Sequence, residues 1–118
     1  MAKHWDNNQP IYWQVRAQTV SAILDGTLKE GEPLPSVRQV AVDFQINPLT
    51  VSKAYQSLVD DGLVEKHRGV GMFVVEGARR RLMQSERENF LAEEWPRIAE
   101  RISKLGLDPA ELIKSIDN

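Results

Sequence analysis

The side chains best suited to chemistry in this chain are short polar and basic groups on a predicted helix at residues 48–61. After its apolar positions are set aside, the outward-facing residues are Leu49, Thr50, Ser52, Lys53, Gln56 and Ser57. Glutamine can pair with adenine, threonine and leucine can contact a thymine methyl group, and lysine can reach guanine or a phosphate. Polar residues opposite an apolar stripe are also ordinary protein surface, so this face alone does not decide between base contact and simple solvation.

Residue types that support catalysis or metal binding are scarce. The chain has no cysteine and two histidines, His4 and His67, neither with a clustered carboxylate partner. There is no Gly-x-Ser-x-Gly elbow, and the Gly-x-Gly at 69–71 leads into a strand instead of a phosphate-binding helix. We therefore predict no catalytic residue, no metal site and no cofactor.

A capped helix precedes the polar face. Ser36 and Gln39 form a Ser-x-x-Gln capping box, which predicts a helix starting at Val37. The apolar positions of this helix share one face: Val37, Val40, Ala41 and Phe44. That face should enter a core, and Gln45 and Ile46 are then left as a tight turn.

The helix with the polar face follows at once. Asn47 and Pro48 are typical of an N-cap and a first helical residue, and Gly62 is typical of a helix end. Its predicted inward residues are Val51, Ala54, Tyr55 and Leu58. An earlier helix from about Pro10 to Asp25 completes a three-helix core, in which we interpret Tyr12 and Trp13 as packing residues.

A glycine-tipped hairpin comes next. Residues 64–66 and 72–75 are strand-like, and the five residues between them, 67–71, include two glycines that can adopt the positive φ of a turn. Lys66 and Arg68 could reach a sugar-phosphate backbone from there, although a surface hairpin with basic residues is the plainer interpretation. Taken together, the order of elements is that of a winged helix-turn-helix.

The same stretch resembles the GntR family of bacterial transcription regulators. The resemblance covers roughly residues 10–76 and is carried by residues 34–41 (LPSVRQVA), 50–55 (TVSKAY), 58, 62–65 (GLVE) and 69–74 (GVGMFV). Residues 46–51 (INPLTV) and the short tail are more similar to the YtrA subfamily than to branches with large effector domains. The resemblance implies a homodimer that binds operator DNA, usually as a repressor, with nearby transporter operons as targets.

The resemblance also implies site residues. Arg38, Thr50 and Gly69 correspond to family contact positions, whereas Pro48 and Ser52 stand where some members carry base-reading arginines, so specificity does not carry over. The predicted DNA-binding residues are Ser36, Val37, Arg38, Asn47, Leu49, Thr50, Ser52, Lys53, Gln56, Lys66, Arg68, Gly69, Val70 and Gly71. We expect Gln56→Ala to act on only some operator sequences if Gln56 reads a base.

The charge balance limits this interpretation. With 15 basic and 17 acidic residues the net charge is −2, which excludes a wholly basic DNA-coating protein. Residues 1–76 hold seven basic residues against nine carboxylates, so attraction to phosphate must come from clustering on one face and from helix N-termini.

The chain after Glu76 predicts a second, helical segment opening with three arginines at 79–81, which could touch phosphate or form a solvated patch. A heptad-spaced apolar stripe follows, Pro96 should kink or break the helix, and Asp108 with Pro109 should start a last helix whose Leu112, Ile113 and Ile116 face inward. We predict a DNA-binding domain at 1–76 and a helical dimerisation tail at 77–118. The predicted dimerisation residues are Phe90, Leu91, Trp95, Ile98, Ile102, Leu105, Leu112 and Ile116.

The predicted fold class is mainly α with a small β-hairpin, a winged helix-turn-helix followed by a short all-helical dimerisation tail. The predicted function is a cytoplasmic, sequence-specific transcription regulator, a repressor that binds a pseudo-palindromic operator as a homodimer, without a membrane span or signal peptide. Two alternatives stay open. One is a winged-helix protein-interaction module without operator binding, and the other is a regulator whose tail holds a small-molecule effector near Met83, Phe90 and Trp95.

Overall fold

The computed structural model describes residues 9–116; residues 1–8, which include the predicted surface histidine His4, and residues 117–118 lie outside the described part. The elements are α1 Ile11–Asp25, α2 Val37–Phe44, α3 Pro48–Asp60, β1 Val64–His67, β2 Gly71–Val74, α4 Ala78–Asn89, a π-helical turn Phe90–Glu94, α5 Trp95–Lys104 and α6 Pro109–Ile116. The predicted class, mainly α with one β-hairpin, is confirmed. The chain forms two compact units, which divide between Leu82 and Met83.

Helices α2 and α3 begin where their capping residues predict. Ser36 Oγ accepts a hydrogen bond from the Gln39 amide nitrogen at 3.0 Å, and Asn47 Oδ1 accepts one from the Leu49 nitrogen at 2.8 Å. The capping box is made in one direction only, because the Gln39 side chain donates to Asp43 Oδ1 at 2.8 Å instead of returning to Ser36. A local sequence signal is thus sufficient to start both helices.

The core of the first unit lies among its three helices and the hairpin. All four predicted inward residues of α3 are buried. The main buried cluster is Val20, Ile23, Leu34, Val40, Ala41, Val51, Tyr55, Leu58, Leu63, Val64, Val74, Ala78 and Leu82. The apolar spacing of α1 predicts that its inward face holds Ile11, Val15, Thr19, Ala22 and Ile23. Thr19 and Ala22 are only half-buried, because they line an open cleft beside residues 27–35, and Val20 is buried as well.

The segment before α2 is joined to the hairpin by one isolated bridge and by backbone hydrogen bonds. The sequence predicts a rigid connection at residues 31–35, because this segment holds two prolines and a glycine. The Leu34 nitrogen donates to the Met72 carbonyl at 2.8 Å, the Val74 nitrogen to the Glu32 carbonyl at 3.0 Å, and Pro33 forms a bridge with Phe73. Strand β2 is therefore tied to the segment that precedes the start of α2.

Tyr55 ties α3 to that same segment. Its side chain is 3% exposed and its hydroxyl donates to the Pro35 carbonyl oxygen at 2.8 Å. Burial raises the pKa of Tyr55 to about 12 from its ordinary value of 10.0, because the phenolate would lose its hydration.

This raised pKa predicts a loss of stability at alkaline pH. The stabilising contribution is complete below pH 10 and is lost as pH rises towards 12. In that window the free energy of unfolding should fall by about 1.4 kcal/mol per pH unit. Urea unfolding of the native protein and of Tyr55→Phe should show this additional decline only in the native protein. Equal alkaline slopes in the two proteins would contradict the prediction.

The first turn of α4 belongs to the first unit. Ala78 and Leu82 are buried in its core, and the division between the compact units falls after Leu82. The predicted domain bounds of 1–76 and 77–118 stay predictions. Arg79 Nε donates to the Leu24 carbonyl at 2.9 Å, and the Arg81 guanidinium donates to the Asp61 and Gly62 carbonyls, both at 2.9 Å. These two arginines donate to carbonyls at the ends of α1 and α3 while both remain exposed, so phosphate contact by them stays a prediction. The functional roles assigned to the two segments stay predictions.

The second unit starts with the remainder of α4 and contains a π-helical turn before Pro96. The Trp95 nitrogen donates to the Phe90 carbonyl, a longer step than the α-helical one, and Pro96 sits at the start of α5. The predicted interruption at Pro96 thus takes the form of a widened turn. Asp108 Oδ1 accepts from the Ala110 nitrogen at 3.0 Å and caps α6, as predicted.

Apolar side chains of the second unit remain exposed within the single chain. The prediction that Ile113 and Ile116 face inward is wrong for this chain alone, because they are 63% and 78% exposed. The unit has too few elements to bury two faces of its helices. None of the helices that the structure describes is long and apolar enough to cross a membrane.

Candidate nucleic-acid interface

A groove opens in the first unit where α2, α3 and the hairpin meet. Its volume is about 430 Å³. Its lining residues are Pro33, Leu34, Pro35, Ser36, Val37, Ser52, Tyr55, Lys66, His67, Gly69, Val70, Gly71 and Met72. The fold thereby brings together predicted site residues from three separate segments: Ser36 and Val37, Ser52, and Lys66 with the hairpin glycines.

Other predicted residues surround the groove without lining it. Arg38 is the second residue of α2, Arg68 lies in the hairpin turn, and both residues are exposed. Among the hydrogen bonds and ion pairs of residues 9–116, none involves either guanidinium. Asn47 uses its side-chain oxygen for the cap of α3, and Thr50 is half-buried in the first turn of that helix.

Several side chains on the exposed face of α3 contact other residues of the protein, which the sequence did not predict. Lys53 Nζ lies 4.0 Å from the centroid of the Tyr12 ring, a cation–π contact, and Gln56 Nε2 donates to Asp60 Oδ1 at 2.9 Å. Ser57, predicted to face outward, is half-buried and accepts a hydrogen bond from Arg16 at 3.0 Å. On this face Leu49, Thr50 and Ser52 make no side-chain hydrogen bond or ion pair with residues 9–116.

The aromatic residues at the start of α1 differ in their surroundings. Tyr12 is half-buried beneath Lys53, whereas Trp13 is 47% exposed, so the packing interpretation is wrong for Trp13. The helical repeat puts Trp13 off the buried face that carries Val15 and Ile23.

The hairpin presents a narrow tip next to the groove. The Val70 nitrogen donates to the His67 carbonyl at 2.9 Å, closing a tight turn in which Gly69 has a φ of 76°. A residue with a side chain adopts such a φ only with strain, which accounts for glycine at this position. The tip exposes Val70 and leaves backbone close to the surface.

His67 is a groove residue that the sequence did not predict. Its ring stacks on Phe73 with centroids 4.6 Å apart, and its Nε2 lies 3.3 Å from Glu65 Oε2. The sequence signal was the position of His67 at the end of β1, directly before the hairpin turn that carries the predicted Arg68 and Gly69. No group of three metal-binding side chains occurs among the residues that the structure describes.

This chain is similar in sequence and in fold to known proteins. The family profile described as bacterial regulatory proteins, gntR family, matches residues 11–74. The HTH-type transcriptional repressor YtrA of Bacillus subtilis (strain 168) is 40% identical over 80 residues, which are 68% of this chain and 62% of that repressor. The chain therefore matches less than two thirds of the length of that relative.

Two solved structures extend the comparison. A GntR family transcriptional regulator from Listeria monocytogenes has a TM-score of 0.72 and 26% identity, covering 95% of this chain and 96% of that one. The AraR(DBD) in complex with operator ORX1 has a TM-score of 0.57 and 25% identity, covering 64% of this chain and 95% of that one. The family match lies within the unit that carries the groove.

Proposed function

Because this chain belongs to the gntR family of bacterial regulatory proteins and is a DNA-binding transcription regulator, we propose that it represses transcription by binding a pseudo-palindromic operator as a homodimer. The observation that carries the proposal is the groove between α2, α3 and the hairpin, which gathers Ser36, Ser52 and Lys66 on one surface. In this proposal α3 enters the major groove of each half-site while the hairpin and Arg38 hold the backbone.

Exposed cations around the groove support phosphate binding despite the negative net charge. Arg38, Lys66 and Arg68 are accessible to solvent, and no ion pair among residues 9–116 includes them. Arg16, by contrast, is held by Asp61 at 2.6 Å. Cations without an internal partner can exchange counterions for phosphates at little cost, so a few of them suffice for salt-dependent binding.

The second unit supports the homodimer part of the proposal. Its exposed apolar residues include Leu91, Trp95, Ile98 and Leu105, which share heptad spacing, and Ile102 between them is half-buried. Such a stripe is stabilised when it pairs with an identical stripe, because both then remove apolar surface from water together. Two half-sites would then be contacted at once, with a separation near one helical turn of DNA or a multiple of it.

Regulatory details of the proposal rest on resemblance. YtrA of Bacillus subtilis is named a transcriptional repressor, and we propose the same direction of control here, with a transporter operon as the target class. A small-molecule effector bound near Met83, Phe90 and Trp95 stays a prediction, and Phe90 and Trp95 are exposed in the single chain. The matched repressor and the operator-bound neighbour favour operator binding over a winged-helix module that only docks proteins.

The direct test of the proposed function is equilibrium binding of the purified protein to duplex fragments from upstream of its own gene. Binding is measured at several salt concentrations with unrelated DNA as competitor, and light scattering gives the mass. We expect saturable, competitor-resistant binding by a dimer with steep salt dependence. A folded dimer that binds none of these fragments at low salt would contradict operator binding.

Arg38→Ala should weaken this binding. Removal of one phosphate-binding cation per protomer is expected to lower affinity by about tenfold and to reduce the salt slope by about 0.9 for each phosphate that is no longer neutralised. Lys29→Ala is the control, because Lys29 is a solvent-accessible cation that does not line the groove. The role of Arg38 would be refuted if Arg38→Ala kept the native affinity and the native salt slope, as the Lys29→Ala control is expected to do.

A further inference from the structure

Leu49 is the large apolar side chain on the first turn of α3, and it is 75% exposed. Its backbone nitrogen is held by the Asn47 cap at 2.8 Å, so the position of the residue is fixed while the side chain extends from the helix. In recognition helices the N-terminal residues are the ones that contact base edges. Leu49 therefore occupies a position from which bases are read.

The longer polar side chains of α3 are held by other residues of the protein. Lys53 lies over the Tyr12 ring at 4.0 Å, and the Gln56 amide donates to Asp60 at 2.9 Å. Ser52 is short and Thr50 is half-buried. The exposed face of α3 thus presents the apolar side chain of Leu49. Hydrogen bonding to a base by an amide or a cation would need a long polar side chain at that position.

Leucine has neither a donor nor an acceptor in its side chain, so it cannot read the hydrogen-bonding edge of any base. The apolar group that the major groove offers is the C5 methyl of thymine. We propose that Leu49 is a specificity-determining residue that contacts a thymine methyl group, so that each half-site carries an A·T pair facing the first turn of α3. This inference rests on the proposed operator binding and specifies its chemistry.

The test combines a base change with a side-chain change. In the upstream fragment that binds most tightly, each thymine is replaced singly by uracil, which removes only the methyl group. At the contacted position, affinity of the native protein should fall roughly fourfold per half-site, the effect of exposing about one buried methyl-sized group. Leu49→Ala should bind more weakly than the native protein and should not distinguish thymine from uracil there.

Val42→Ala is the matched control, because Val42 is an apolar residue of α2 that is 67% exposed and does not line the groove. This variant should keep the native affinity and the native sensitivity to the methyl group. Circular dichroism establishes that Leu49→Ala is folded. The inference would be overturned if no thymine-to-uracil change affected the native protein, or if the same sensitivity persisted in Leu49→Ala. If the native protein bound the operator without a methyl sensitivity that depends on Leu49, only this inference would be overturned. If the native protein bound no operator, both proposals would be overturned.

Discussion

Replacing Ile98 by aspartate is expected to convert the protein into a monomer and to weaken operator binding by about a hundredfold or more. Ile98 is 41% exposed on α5, in the stripe that includes Trp95 and Ile102. A carboxylate buried between two such stripes would lack a partner, which costs several kcal/mol. Two linked half-sites also gain about 10² to 10⁴ in affinity over one, and a monomer forgoes that gain. Light scattering and operator affinity measure the two effects.

Ser103→Asp is the control for this variant. It adds the same charge to the same helix at an exposed position outside the heptad spacing. Native mass and native affinity are expected for it. A dimer of normal affinity carrying Ile98→Asp would mean that the stripe is not the subunit interface, and the tail would then need another role.

Leu58→Ala is expected to destabilise the first unit by about 3 kcal/mol. Leu58 is fully buried on α3 and belongs to the cluster that includes Ile23 and Val64. Removing a buried leucine forfeits its transfer free energy and leaves a cavity that neighbouring side chains fill only in part. Urea unfolding monitored by circular dichroism measures the change.

Val59→Ala provides the comparison at the next position. Val59 is half-buried, so its truncation should cost about 1 kcal/mol or less. Leu58 does not line the groove, and operator affinity of the folded Leu58→Ala protein should therefore stay native. Equal destabilisation by the two variants would contradict the assignment of Leu58 to the centre of the core.

The sequence predicted the starts of α2 and α3 and the buried face of α3, because these features depend on residues close together in the chain. Ser36 and Asn47 each accept a hydrogen bond from an amide two or three residues ahead, and Pro48 fixes a helical φ at the start of α3. The starts of α2 and α3 could therefore be predicted from sequence. The apolar spacing of α3 likewise predicted its four buried residues, because one helix face meets one core.

Contacts between distant residues could not be predicted in this way. Lys53 meets Tyr12, and Arg81 meets the carbonyls of Asp61 and Gly62, only after separate helices have packed. These contacts decide which members of the predicted site are available to a ligand. Residue type and spacing predict which residues could contact a ligand. Tertiary packing determines which of these residues remain available to do so.

The exposed residues of α6 illustrate a different limit. Leu112, Ile113 and Ile116 repeat on one helix face, which predicts burial but does not state against what. In the single chain Ile113 and Ile116 remain exposed. A periodic pattern indicates that a face needs a partner, and the partner can be another copy of the chain.

The arginine contacts at the start of α4 determine where the first unit of this regulator can be joined to a segment of another protein in a chimera. A cassette cut at residue 74, where the family match ends, would lack buried Ala78 and Leu82 and the hydrogen bonds from Arg81 to the end of α3. A chimera that keeps the DNA-reading module intact should instead be joined inside α4, after Leu82. The suitable junction therefore lies within the continuous helix α4. A chimera must match the rotational phase of that helix as well as its length.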